Sequence, residues 1–351
     1  MPRSPKESQY LLPLFMLFII LLIPVNVSAA SCKTQSQMTP AQRDALSSAA
    51  RTLIGNVQSG DLRTLRANTT TTVATDFAGI SDTTRSLMPL MQNATITIDS
   101  LFALDASSET AGTPRTDFYC GTPVIALNFT NLPSATYAVA ILHATGVPQP
   151  QQISLILSES AGHGWTLVGI SSKPMIEAGH DGLWYWMLAR QYAQKNMNWN
   201  AWFYYRTAAF LLAPAAFLSS PNLEKLQHEE ASVRPNDLPD TVPMNLDVHG
   251  SIVQVTSIDT TTALGALDVE IHYTPTTEQE VQLNDSPTAR KQITEIMTAL
   301  LALRPELREA FHGVWIRADK GDATIYSLEL PMSQFVPFDS QRSTVVSPAL
   351  P

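Results

Sequence analysis

ATYAVAILHA, residues 135–144, decides the fold of this chain together with four other β-rich runs. The runs are rich in β-branched and aromatic residues and are separated by polar residues, glycine or proline; they are 94–104, 122–129, 135–144, 152–158 and 165–171. Helix signals come before the first run. Helices followed by a meander of about five strands predict an α+β unit in which a curved antiparallel sheet wraps the helices.

The helix signals begin at Thr39-Pro40-Ala41-Gln42, a capping-box pattern with proline at the first helical position. Apolar residues then recur at helical spacing from Leu46 to Val57, and Gly60 follows as a stop. Asp61 can cap a second, shorter helix. The sequence therefore places a long helix and at least one short helix before the strands.

Residues 36–175 resemble the cone-shaped nuclear-transport-factor-like superfamily. The resemblance rests on the long first helix running into Gly60-Asp61-Leu62, the second helix, the hairpins and a last strand that begins at Trp165. It implies a cone in which related folds hold their ligand, and His143 on a predicted strand could point into it. Members include isomerases, dehydratases and non-enzymatic binding modules, so the resemblance does not select a function.

Residues 181–231 are predicted to be helical, after a linker at 174–180. Large and small residues alternate over 181–214 at spacings similar to those of a tetratricopeptide helical hairpin; they are Tyr185, Leu188, Ala189, Tyr192, Ala201, Tyr205 and Ala208. A single such unit cannot bury its own faces. We therefore expect the hairpin to pack on the cone-like domain, on the C-terminal domain or on another chain.

The segment 232–243 is rich in proline and aspartate and is typical of a domain boundary. Residues 244–335 predict a small ββαββ domain, with two strands, a helix that starts at Ser286-Pro287, and a final hairpin turning at Lys320-Gly321-Asp322. The Pro/Ser-rich residues 336–351 predict a disordered tail.

Residues 1–30 have the layout of a secretory signal peptide. Arg3 and Lys6 precede an apolar run from Leu11 to Ile23, and a short tail of small residues follows. The run is shorter than the roughly 20 residues that cross a bilayer as a helix, so a cleaved signal is favoured over a lasting anchor. We expect an exported protein that works in a periplasmic or extracellular space.

Cys32 and Cys120 are the two cysteines of the chain, and two interpretations compete. In one, cleavage after Ala29 or Ala30 leaves Cys32 to pair with Cys120 in an oxidising compartment. In the other, Ala29-Ala30-Ser31-Cys32 is similar to a loose bacterial lipobox, and Cys32 carries the lipid of a lipoprotein. The disulfide is favoured, and a lipid on Cys32 would be the one expected link to a membrane.

The composition excludes some classes of partner. The formal net charge is −9, and charged residues make up 15% of the chain, against about 25% in ordinary globular domains. An acidic chain without a Lys/Arg stripe argues against binding nucleic acid through its phosphates. No phosphate-binding glycine loop, HExxH or CxxC motif occurs in the sequence, so we expect no cofactor and no metal site.

Aromatic residues crowd the segment 184–205. The candidate binding residues are Trp184, Tyr185, Tyr192, Trp199, Trp202 and Tyr205. Tryptophan and tyrosine dominate interface hot spots, and they also stack on sugar rings, so an exposed cluster would bind a protein or a glycan. The competing interpretation is that these side chains line a core between domains.

Catalysis has weaker candidates. His143, and His163 in the turn AGHGW, could each serve as a general base, although a strand or turn histidine without a catalytic role is the simpler interpretation. We therefore expect an exported, non-catalytic interaction or scaffolding module of the cell envelope. The alternative is an isomerase- or hydrolase-like enzyme for a small molecule, with its pocket in the cone-like domain.

Overall fold

The structure is a computed structural model that describes residues 30–110, 112–160, 162 and 164–335. The expected signal peptide up to residue 29, the expected tail at 336–351, and His163 lie outside the described residues. The predicted α+β class is confirmed, because helices and largely antiparallel sheets are both present. Among the described residues, no helix combines the length and the apolar character that a bilayer span requires.

Residues 31–174 form the N-terminal unit. Its helices are α1 (Pro40–Ser59), α2 (Leu62–Ala67), α3 (Thr71–Thr75) and α4 (Ala78–Leu87). Its strands are β1 (Ser31–Thr34), β2 (Thr95–Asp105), β3 (Arg115–Cys120), β4 (Ile125–Thr130), β5 (Thr136–Thr145), β6 (Gln151–Ser160) and β7 (Gly164–Pro174). An antiparallel first sheet has the order β1-β2-β5-β6-β7. Along the chain, β3 and β4 come between β2 and β5 and form a separate hairpin.

The first helix begins and ends as its sequence predicts. The Thr39 hydroxyl accepts a hydrogen bond from the Gln42 amide at 3.3 Å, and the Gln42 side chain accepts one from the Thr39 amide at 3.2 Å. Gly60 closes the helix with φ of 69°, a left-handed conformation that glycine adopts without strain. The capping box is therefore confirmed, and it fixes where α1 enters the core.

Both faces of β5, the central strand of the first sheet, are covered. Ala138, Ala140 and Leu142 pack with the buried side of α1, whereas Val139 and Ile141 pack with the β3–β4 hairpin. All five side chains are at most 1% exposed. The strand is thus apolar on both sides, and the first sheet is a structural layer between two hydrophobic clusters.

A disulfide fastens the inserted hairpin to the edge of the first sheet. It joins Cys32 in β1 to Cys120 in β3, with the Cα atoms 5.1 Å apart. The disulfide interpretation of the two cysteines is confirmed, and the bond leaves no free thiol on Cys32 to carry a lipid.

The middle of the chain contains helices and short strands. They are β8 (Ile176–Glu177), β9 (His180–Asp181), α5 (Gly182–Gln194), α6 (Asn198–Leu212), β10 (Leu218–Ser219) and α7 (Pro221–Val233). α5 and α6 pack against each other as a hairpin. β10 then returns to the N-terminal unit and pairs with β4, with Leu218 opposite Leu127 and Ser219 opposite Ala126.

The C-terminal unit has a mixed second sheet. Its elements are β11 (Met244–Val248), β12 (Ser251–Thr261), β13 (Asp268–Thr274), α8 (Thr277–Gln282), α9 (Ser286–Leu303), α10 (Leu307–Ala310), β14 (Gly313–Lys320) and β15 (Ala323–Pro331). The order is β11-β12-β13-β14-β15, and β13 and β14 are parallel because α8, α9 and α10 connect them. The predicted ββαββ pattern is corrected to βββαββ, since His249 and Gly250, with φ of 54° and 84°, turn the first expected strand into β11 and β12.

The helical hairpin and the second sheet share one hydrophobic core. The rings of Phe203 and Tyr204 on α6 lie 5.9 Å and 5.8 Å from the ring of Phe311, just before β14. Of the three surfaces considered for the hairpin, the C-terminal domain is the one with which it shares a hydrophobic core. The opposite face of the second sheet, which we call the ionic face, carries Glu270, His272, Arg317 and Asp319.

Candidate functional site

The predicted aromatic binding face is largely a core. Tyr185, Tyr192, Trp199 and Tyr205 are 1% to 5% exposed and belong to the hydrophobic cluster that α5 and α6 share with the C-terminal unit. The prediction that these four residues contact a partner is therefore corrected. The physical reason is that the hairpin has to fill the space between itself and the second sheet, and large rings fill it.

The two remaining candidates are half-buried and already have partners. Trp184 stacks on the His180 ring, with centroids 3.6 Å apart and planes 7° from parallel. The Trp202 ring lies 4.7 Å from the Arg206 guanidinium carbon, a cation–π contact. Each indole thus already has a stacking or cation–π partner within the protein.

The polar ends of the buried aromatic residues are satisfied inside the protein. The Tyr204 hydroxyl donates to the Ala310 carbonyl at 2.5 Å, and the Trp199 indole donates to Asp237 at 3.1 Å. Burial raises the pKa of the Tyr205 phenol to about 12. These rings are neutral, hydrogen-bonded core residues, which is how tyrosine and tryptophan are normally buried.

His143 does not face the helices of the N-terminal unit. It follows Leu142 in β5 and so points to the opposite side of the first sheet, where its Nε2 lies 3.1 Å from the Gln152 amide nitrogen. The helix-facing side, where a cone pocket was expected, holds apolar side chains instead. The expected role of His143 as a base inside the cone is therefore corrected, and His163 lies outside the described residues.

A cavity of about 290 Å³ lies where three segments of the chain meet, and we call it the seam pocket. β8 borders it on one side, α6 on another, and the end of β12 closes it. The lining residues that matter below are Glu177, Arg206, Phe210, Asp259, Thr260 and Thr262.

Charges, hydroxyl groups and one aromatic ring meet in the seam pocket. Arg206 Nη2 lies 3.2 Å from Asp259 Oδ2, and the Thr262 hydroxyl donates to Glu177 Oε2. The Phe210 ring is 49% exposed. A pocket of this kind offers hydrogen-bond donors, acceptors and an apolar face to the same small ligand.

Lys173 of β7 approaches Phe210 from the N-terminal unit. Its Nζ donates to the Phe210 carbonyl and lies 5.0 Å from the ring centroid. Burial lowers the pKa of this amine to about 8. Lys173 thus holds the last turns of α6 against the first sheet, next to the seam pocket.

Sequence reasoning missed the seam pocket because its members come from separate segments. Glu177, Arg206 and Asp259 show no fixed spacing, and each looks like an ordinary surface charge. The one local signal is the run of threonines at 260–262, where β12 ends. A hydroxyl-rich strand end is too common to identify a ligand site alone.

A second polar cluster forms at one end of the second sheet. Asp268 begins β13, His312 precedes β14 and Glu329 lies in β15, and their potential ligand atoms are all within 4.8 Å of one another. The sequence-based expectation of no metal site did not consider these residues together, since 44 positions separate the first two.

Comparisons with known proteins give no relative for this chain: no protein family, curated protein or solved structure matches it.

Proposed function

We propose that this protein is an exported binding module that holds a small polar group, such as one sugar residue of a glycan, in the seam pocket. The observation that carries the proposal is the half-exposed Phe210 ring beside Arg206, Asp259 and Thr262 in a single cavity. The proposed partner is still a glycan, as the sequence predicted. Its site is at the end of α6 and not at the aromatic cluster, which is buried.

The chemistry of the lining supports a sugar. One face of a sugar ring is a row of C–H groups that packs on an aromatic ring, and its hydroxyls donate and accept hydrogen bonds. Phe210 supplies the ring, while Asp259, Arg206 and the threonines supply acceptors and donors. At about 290 Å³, the cavity is at the lower end of the roughly 300–1,000 Å³ of small-molecule sites, which suits a single ring.

Binding without catalysis is supported by how the charged groups are paired. Asp259 is held by Arg206, and Glu177 accepts a hydrogen bond from Thr262. A carboxylate with these partners is an acceptor that orients a ligand. In the N-terminal unit, the apolar filling beside α1 and the outward position of His143 argue against the enzyme alternative.

Export is supported by the Cys32–Cys120 disulfide, because such bonds form and persist in oxidising compartments. The apolar segment before residue 30 agrees with that location. We therefore propose a periplasmic or extracellular place of work for the module.

The proposal is tested by titrating the purified protein with a panel of neutral, acidic and amino monosaccharides, followed by calorimetry and saturation-transfer NMR. We expect at least one sugar to saturate a single site. Phe210→Ala should weaken it at least tenfold, since the stacking surface is lost. Tyr119→Ala is the matched control, because Tyr119 is an aromatic residue of β3 that is 65% exposed and does not line the seam pocket.

Two outcomes would contradict the proposal. The first is that no sugar of the panel saturates the protein. The second is that Phe210→Ala and Tyr119→Ala bind the sugar as tightly as the unchanged protein. Circular dichroism of both variants separates a lost contact from a lost fold.

A further inference from the structure

Two carboxylates and an imidazole meet at the end of the second sheet, and the imidazole is the one basic group paired with the acids among the described residues. Asp268 is fully buried, at 0% exposure, and its Oδ1 lies 3.3 Å from His312 Nδ1. In the described part of the chain, no lysine or arginine comes within ion-pair distance of Asp268 or Glu329. The acids therefore rely on the partly exposed His312 for positive charge.

Two oxygens of this cluster are left without hydrogen bonds. Asp268 Oδ2 and Glu329 Oε1 are both buried and have no hydrogen-bond partner among the described residues. An unpaired buried carboxylate oxygen costs free energy unless a proton, a cation or a donor satisfies it. Burial raises the pKa of Asp268, and burial together with the charge of Asp268 raises the pKa of Glu329.

Gly313 leaves the space in which the two carboxylates meet. A Cβ atom at this position would lie 2.5 Å from Glu329 Oε1 and 3.0 Å from Asp268 Oδ1. Gly313 is not among the residues with positive φ, so its backbone conformation does not require glycine. Glycine matters here because any side chain at this position would occupy the space in which the two carboxylates lie.

Other acids of the ionic face show what a completed arrangement looks like. Glu270 accepts a hydrogen bond from Arg317 Nε, and Asp319 Oδ2 lies 2.5 Å from His272 Nδ1. These pairs join β13 to β14, and their β13 members lie one and two pleats along the strand from Asp268. The cluster of Asp268 and Glu329 thus differs from these two matched pairs on the same face.

We propose that Asp268, His312 and Glu329 bind a divalent transition-metal cation, Zn²⁺ or Mn²⁺, through two carboxylate oxygens and one imidazole nitrogen. Such a cation balances the two negative charges and satisfies the orphaned oxygens. The imidazole favours Zn²⁺ over Ca²⁺ and Mg²⁺, which prefer oxygen ligands, and the two carboxylates suit Mn²⁺. Three protein donors leave at least one coordination position for water or a ligand, as in catalytic zinc sites.

The present spacing suits an ion after small side-chain movements. Ligand atoms that each lie about 2.1 Å from a tetrahedral ion are roughly 3.4 Å apart from one another. In the structure the three potential ligand atoms lie within 4.8 Å of one another. The His312 side chain is 60% exposed, so it can rotate and the ion can enter from solvent. The proposal is independent of the seam pocket.

The test uses full-length purified protein, stripped with chelator and titrated with zinc or manganese chloride by calorimetry. We expect one saturating site per chain and a higher melting temperature with the metal bound. Glu329→Gln and His312→Gln should each weaken the affinity at least tenfold, because each removes one ligand. His249→Asn is the control; His249 lies in the exposed β11–β12 turn, and asparagine accepts its left-handed φ.

Three outcomes would overturn the proposal. One is that neither metal saturates the protein, and another is that the Glu329 and His312 variants bind as tightly as His249→Asn. The third is that Ca²⁺ binds more tightly than both metals. The variants at Glu329 and His312 decide the question even if a variant at the fully buried Asp268, such as Asp268→Asn, fails to fold. Phe210→Ala should bind the metal normally, which separates this site from the seam pocket.

Discussion

The two sheets of this protein, one antiparallel and one mixed, differ in what their faces carry. In the first sheet, β5 buries both faces, with Leu142 on one side and Ile141 on the other. In the second sheet, β13 buries Ile271 and turns Glu270 and His272 to the ionic face. The comparison teaches that β5 serves mainly packing, whereas the second sheet combines a packed face with a charged one.

Removing the disulfide should have the largest effect on the first sheet. The bond closes a sequence separation of 88 residues, and in the chain-entropy model such a loop stabilises the fold by about 4 kcal/mol. We expect the double variant Cys32→Ser/Cys120→Ser to lose about this much free energy of unfolding, measured by urea denaturation.

Wild-type protein treated with a reductant should move to the same midpoint as that double variant. The double variant itself should not respond to the reductant. A loss below about 1 kcal/mol would mean that the first sheet holds its hairpin without the covalent link, and the comparison would weaken.

A cavity in the first sheet should have the next largest effect. Leu155 of β6 is fully buried against α1, so Leu155→Ala should cost about 3 kcal/mol through lost burial and the cavity left behind. Its counterpart on the ionic face is the double variant Glu270→Gln/Arg317→Met, which removes both members of a half-buried pair and should cost no more than about 1 kcal/mol. Similar losses in the two sheets would break the comparison.

The smallest expected effect is a pH dependence at the border between the two units. Burial lowers the pKa of Lys173 to about 8 from 10.5, so above pH 8 the unfolded chain binds more protons at this amine than the folded chain. The free energy of unfolding should therefore rise from pH 8 towards pH 10. Lys173→Met should remove this rise, and an identical slope in both proteins would contradict the burial of the amine. Thermal unfolding of both proteins in buffers between pH 8 and pH 10 measures this pH dependence.

Much of the fold follows from local sequence. The runs at 94–104, 135–144, 152–158 and 165–171 appear as β2, β5, β6 and β7, and the Ser286-Pro287 start opens α9. Short strands were missed, because β1, β3 and β10 take their structure from pairing across distant segments and show no strong alternation of their own.

The sites were harder to predict than the strands. The aromatic segment at 184–205 has the composition of an interface, and only the packed structure shows that the second sheet covers it. The metal-binding cluster had a partial signal. In Asp268-Val269-Glu270-Ile271-His272 the ionisable residues alternate with apolar ones, which indicates a strand with one charged face. Nothing local links that strand to His312 or Glu329.

The return of β10 to β4 sets an order of events during biosynthesis. Ribosomes and export channels deliver the N-terminal segments first, so the first sheet and its cysteines emerge before α5 and α6. Until Leu218 and Ser219 arrive, the outer edge of β4 is an unpaired strand edge, and the Phe129 ring lacks its stacking partner Phe217, 4.9 Å away in the finished protein. A chain truncated after β7 would carry that open edge permanently, and we expect it to self-associate more readily than the full-length chain.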